Sequence, residues 1–151
     1  MGLDISHDTW HGAYSAFHRW RIKIAEVAGM PPLELMEGFY DPIENPRSLS
    51  TLYCDGKQKE SSSLKRLDAL LPIKWDALKP SSLHELLYHS DCDGEIEWNL
   101  CNGIADELDR LIPLLPNEEG GGHIGSWSDK TAQFVKGLRK AYEAKENIIF
   151  A

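Results

Sequence analysis

Between residues 12 and 32 the chain specifies where a helix starts, which side it buries and where it must stop. Ala13, Ala16, Phe17, Trp20, Ile24, Val27 and Ala28 share one broad face at the helical period of about 100° per residue. Gly29 can then take a left-handed cap, and Pro31-Pro32 lack the amide hydrogens a helix needs to continue. A helix from just after Gly12 to about Ala28 is therefore predicted. Further apolar faces follow the same rule. Leu64, Leu67, Leu70 and Leu71 form a short one behind Ser62 or Ser63, stopped by Pro72. Ser82 with Glu85 reads as a capping box for another, ending near His89. Cys101, Ile104, Leu108, Leu111 and Leu115 line a third from about Trp98, interrupted by Pro113, with Gly103 inside at a cost of about 1 kcal/mol relative to Ala. Ser126 with Asp129 caps a last helix whose face is Trp127, Thr131, Phe134, Val135, Leu138 and Tyr142.

Strand signals are short and confined to the margins. Leu3 and Ile5 alternate with Asp4 and Ser6, the Ile96 region is extended in character, and Ile148-Ile149-Phe150 reads as a strand or a docked terminus. Residues 30–61 are rich in Pro, Ser, Gly and Asp, so they read as a long irregular connection with a short strand at Leu52-Tyr53. Strand and helix never alternate in series, which excludes a doubly wound sheet. The expected fold is mainly α, α+β at most, with a small antiparallel component. The 151 residues, 42% of them hydrophobic, suit one globular domain over residues 1–151.

Charge narrows the function. The formal net charge of −8 argues against nucleic acid, which needs clustered Lys and Arg. Acidity concentrates in residues 85–119, where Arg110 is the only Lys or Arg, a stretch that serves as a solvated face, a cation site or a dock for a basic partner. No segment has the apolar length of a membrane span, and the Met1-Gly2 to Ser6 myristoylation pattern has no polybasic patch beside it. Cys54, Cys92 and Cys101 are odd in number and lack Cys-x-x-Cys spacing, which fits a reducing cytoplasmic setting.

One cation breaks the pattern of the first helix. Arg21 falls inside the apolar face, and a guanidinium turned toward a core must meet a carboxylate, carbonyls or an anion, because burying it unpaired costs several kcal/mol. Tyr14 and His18 precede it at spacings of seven and three, so the three polar tips can converge on an anion. The simpler alternative is that Arg21 ties two helices together, its stem covering apolar surface.

The segment HSDCDGEIEW, residues 89–98, resembles an EF-hand loop. Asp91, Asp93, Gly94 and Ile96 occupy its third, fifth, sixth and eighth positions. His89 replaces the first Asp and Leu100 the twelfth Glu, leaving a hard cation too few oxygen ligands, so no metal or other cofactor is expected. Asp91 and Asp93 then serve a tight turn, with Gly94 supplying positive φ. Taken together, MGLDIS, GAYSAFHRWR and HSDCDGEI resemble a family of small uncharacterised phage and bacterial proteins. That resemblance implies an accessory role, such as countering host defence by sequestering a nucleotide signal.

Catalytic signals are sparse. His7, Asp8 and His11, joined with His89, Asp91 and Asp93, would supply ligands for a metal-dependent phosphoesterase only if distant segments met. The run EEGGGHIGSWSDKT lacks the strand and the Gly-Lys-Ser/Thr ending of a phosphate loop and reads as a flexible connection. No catalytic residue is assigned. The expected function is non-enzymatic binding of a small anionic, nucleotide-like ligand by Tyr14, His18, Arg21, His89, Asp91, Asp93 and Trp98. Arg21 would fork onto the anion and Trp98 would stack on a ring. The rivals are the phosphoesterase and a protein inhibitor docking through the acidic face.

Overall fold

The computed structural model describes residues 2–40, 71–116 and 125–151. The predicted strand at Leu52-Tyr53, the helix through Leu64, Leu67 and Leu70, and the glycine run at 120–122 lie outside the described residues. The chain divides into two compact units, Met1–Met30 with Pro80–Ala151, and Pro31–Lys79. The fold is mainly helical with a small antiparallel β component, as the spacing of apolar residues predicts. Among the described residues, no helix is long and apolar enough to cross a membrane.

The first unit opens with a β-hairpin. Strand β1 (Gly2–Ile5) pairs antiparallel with β2 (Trp10–Ala13), with Asp4 opposite His11 and Ile5 opposite Trp10. The β2 strand has no clear sequence signal, because Trp10 is its only large apolar residue and Gly12 weakens strand propensity. The connecting turn has His7 at φ 62° and Asp8 at φ 55°, the paired positive angles of a two-residue hairpin turn. Helix α1 (Tyr14–Val27) follows directly and buries Ala16, Phe17, Trp20, Arg21, Ile24 and Ala25. It stops as its sequence dictates: Gly29 takes φ 77°, its amide donates to the Glu26 carbonyl, and that of Met30 to the Ala25 carbonyl.

Helix α2 (Leu83–Leu87) is shorter than its signal, and the expected Ser82–Glu85 capping box is not formed. Ser82 has helical backbone angles, and the Ser81 hydroxyl instead accepts the Leu83 amide at 3.2 Å. Helix α3 (Trp98–Leu111) buries Cys101, Ile104, Ala105, Leu108 and Leu111, and passes at Pro113 into a 3-10 turn, Ile112–Leu114. A Cβ on Gly103 would come within 2.8 Å of the Ser82 hydroxyl, so this glycine permits close passage of the α2 start. Helix α4 (Trp127–Ala144) is capped as predicted, the Ser126 hydroxyl accepting the Asp129 amide at 3.4 Å. It packs most extensively on α3, and Arg139 bridges the two by donating to Asn102 and pairing with Asp106 at 2.9 Å.

The C-terminal segment joins the two ends of the unit. Ile148–Ile149 (β4) pairs antiparallel with Glu95–Ile96 (β3). Its other edge meets β1, where Asp4 and Ala151 exchange amide–carbonyl bonds of 2.9 Å and the Ser6 amide donates to Ile149. The core holds an aromatic cluster in which Trp20 and Phe134 lie 4.6 Å apart and Trp10 meets Phe17 edge-on at 5.2 Å. Trp20 Nε1 donates to the buried Thr131 hydroxyl, which donates to the Trp127 carbonyl, so both of these polar side chains are satisfied.

The second unit, where described, is held by backbone. A 3-10 turn, Leu33–Leu35, leads to a bridge between Met36 and Ile73, and Trp75 Nε1 donates to the Glu37 carbonyl at 2.9 Å. Leu33 and Met36 are buried.

Candidate functional site

Arg21 is turned inward, as its place on the helical face predicts, and only 1% of it is exposed. Its Nη1 donates to the His89 carbonyl at 2.6 Å and the Leu87 carbonyl at 3.3 Å, and its guanidinium lies 4.6 Å from the Phe17 ring centroid. These carbonyls belong to the C-terminal end of α2 and the bend after it, groups that a helix leaves without intrahelical donors. Burial lowers the Arg21 pKa to about 10, opposed by the Asp91 carboxylate, so the group stays charged at neutral pH. The guanidinium thus clamps α1 to the bend.

The bend closes on itself. Ser90 Oγ donates to Asp93 at 2.8 Å, and Gly94 has φ 95°. The His89 ring stacks on Phe150 at 4.1 Å, with Nδ1 2.8 Å from the Ser90 carbonyl and Nε2 3.1 Å from the Glu95 carbonyl. Arg21, His89 and Asp91 are therefore brought together. Tyr14 and His18 are half-buried further up α1, Tyr14 two turns before Arg21. Trp98 lies in a separate groove of about 320 Å³ with Glu95, Glu97, Asn99 and Asn147, where Asn147 Oδ1 accepts the Trp98 amide. His7 and His11 belong to the hairpin, and no three His, Cys, Asp or Glu among the described residues gather to hold a metal ion. Cys101 is buried, which pushes its thiol up to about 11 and keeps it protonated at neutral pH.

A second concavity forms where the hairpin turn meets α4. His7 and Asp8 make one wall and Gln133, Lys136, Gly137 and Lys140 the other, around about 150 Å³. Gly137 explains the close approach: a Cβ there would run into Thr9, which is itself fully buried. Gln133 Nε2 donates to the Asp8 carbonyl at 2.9 Å, and Thr9 Oγ1 donates to the Ser6 carbonyl at 2.6 Å. These bonds hold two non-glycine residues in the left-handed region, a conformation that costs on the order of 1 kcal/mol each and persists where surroundings enforce it. Ser6 Oγ accepts the Ile149 amide and lies 3.0 Å from His7 Nδ1, while His7 Nε2 faces Glu146 at 3.4 Å, so the His7 ring is fixed from both sides.

Lys136 and Lys140 are one turn apart on the outer side of α4, and among the described residues neither is paired with a carboxylate. The recess therefore gathers positive charge on a chain of net charge −8. His11 stands at its edge, Nδ1 2.8 Å from Asp4 and Nε2 3.2 Å from Asp8. Hydrogen bonds to Asp4 and then Asp8 raise the His11 pKa above the ordinary imidazole value. Sequence reasoning missed Gln133, Lys136, Gly137 and Lys140. Their one signal is a pair of lysines at i and i+4 opposite the apolar face, which acquires meaning only once the hairpin is seen to lie against it.

Comparison with known proteins finds no matching protein-family model, curated protein or solved structure.

Proposed function

We propose that this chain is a non-enzymatic binding protein for a small anionic ligand, and that the ligand is held in the recess between the 7–8 turn and α4. The observation that carries this reading is the pair of unneutralised ammonium groups, Lys136 and Lys140, facing a rigidly held turn across about 150 Å³. Arg21, the cation singled out by its position in the sequence, is engaged with backbone carbonyls and contributes by fixing the bend. An anion near the lysines gains charge-assisted hydrogen bonds, and no bond in the ligand is broken. In this proposal the chain has an accessory role in the cytoplasm, in which an anionic, nucleotide-like signal is sequestered through its phosphate.

Thermal unfolding in the presence of inorganic phosphate and of nucleoside monophosphates tests the reading. A ligand present at 100 times its Kd adds about 2.7 kcal/mol to stability, and the melting temperature is expected to rise accordingly. The double variant Lys136→Glu, Lys140→Glu alters two exposed positions and should melt normally without ligand yet lose the rise. An unchanged melting temperature for the wild type at every anion concentration, or a rise that survives in the variant, contradicts the assignment.

A further inference from the structure

The geometry around His11 points to a more specific property: the recess takes a single phosphate-sized oxyanion, and the proton on His11 sets its affinity. This rests on the anion-binding reading above. Size comes first. About 150 Å³ is the room of roughly five water molecules at ~30 Å³ each, well under the 300–1,000 Å³ typical of pockets that enclose a drug-sized molecule. A phosphate or sulfate group fits, and the remainder of a larger ligand must stay outside.

Charge comes second. Asp8 is the one carboxylate residue among those lining the recess, and it opposes an anion there. His11 faces Asp8 from β2 through Nε2 and Asp4 of β1 through Nδ1. From α4, Lys130 approaches the same residue, its Nζ donating to the His11 carbonyl at 3.4 Å while lying 4.3 Å from the Trp10 ring centroid. Within the recess the other titratable groups are His7, Lys136 and Lys140, with Glu146 against His7. Carboxylates only accept, so both contacts of His11 are hydrogen bonds only when each ring nitrogen carries a proton. The imidazolium then screens Asp8. On deprotonation one carboxylate loses its donor and the positive charge is gone, leaving Asp8 uncompensated beside the anion. The raised pKa of His11 agrees with this, and its sign is definite: the His11–carboxylate contacts are present below the ordinary imidazole pKa and are lost as pH rises through the elevated value.

Sulfate is the suitable probe, because unlike phosphate it stays dianionic across the range in which imidazole titrates. Its affinity for the full chain, measured by calorimetry at low ionic strength, should fall on the order of 3- to 10-fold between about pH 5.5 and about pH 8.5, the scale of one screened charge acting on a dianion over several ångströms. Asp8→Asn, which suits a left-handed turn position, should restore tight binding at the higher pH, whereas His11→Gln should bind weakly at both. His7 at the wall is unchanged in both variants, so its contribution separates from that of His11. Sulfate binding in which Asp8→Asn brings no gain at the higher pH, or in which His11→Gln keeps the wild-type pH profile, overturns the inference while leaving anion binding intact. Sulfate affinity at least 100-fold weaker than that of a nucleoside monophosphate overturns the size argument. Absence of any anion binding removes both this inference and the reading beneath it.

Discussion

Arg21→Ala is expected to destabilise the fold by about 3 to 5 kcal/mol, from two carbonyls left without their donor and a cavity left in the core. The substitution strips the Leu87 and His89 carbonyls of their donor and leaves a void against Phe17. Each unsatisfied buried acceptor costs about 1 to 3 kcal/mol, and the cavity adds to it. Arg21→Lys keeps the charge but not the planar fork, so it should recover only part of the loss, and Arg21→Met should recover only the packing. Urea denaturation of the three variants measures the series. A loss under about 1 kcal/mol for Arg21→Ala would mean that the clamp between α1 and the bend is dispensable.

Gly137→Ala is the second large effect, and its sign runs against propensity. Within a helix, alanine is favoured over glycine by about 1 kcal/mol. Here the added Cβ meets Thr9, whose Cα and Cβ lie 2.8 Å from it, and Thr9 is held by its bond to the Ser6 carbonyl. The backbone of the hairpin has to shift, so a net loss of about 2 kcal/mol is expected from overpacking. The same shift opens the recess, and anion binding should weaken with stability. A stabilised Gly137→Ala protein would show that the hairpin does not press on α4 as described.

Helix ends were legible where the sequence carries its own punctuation. Gly29 with Pro31-Pro32, Pro113, and Ser126 with Asp129 act through local backbone chemistry, and the structure ends or starts helices at all three. Arg21 was legible for a related reason, since a charge on an apolar helical face must be satisfied wherever the face is buried. Trp10–Ala13 was not, because its strand character comes from pairing with Gly2–Ile5 and not from its own composition. The capping box at Ser82 failed through competition: Ser81, one residue earlier, offers its hydroxyl to the same helix start. The recess was the least legible feature of all. It joins residues 7–8 to residues 133–140, and the glycine that brings them together reads in sequence only as a weak helix former.

These outcomes share a dependence on where positive charge is left available after folding. Backbone amide spectra recorded while inorganic phosphate is titrated into the ¹⁵N-labelled chain test that most directly. Saturable shifts are expected, centred on Asp8, Gln133, Gly137 and Lys140, with residues 87–98 nearly still. Shifts centred on the bend around His89, Asp91 and Trp98, or no saturable shift at all, would contradict that expectation.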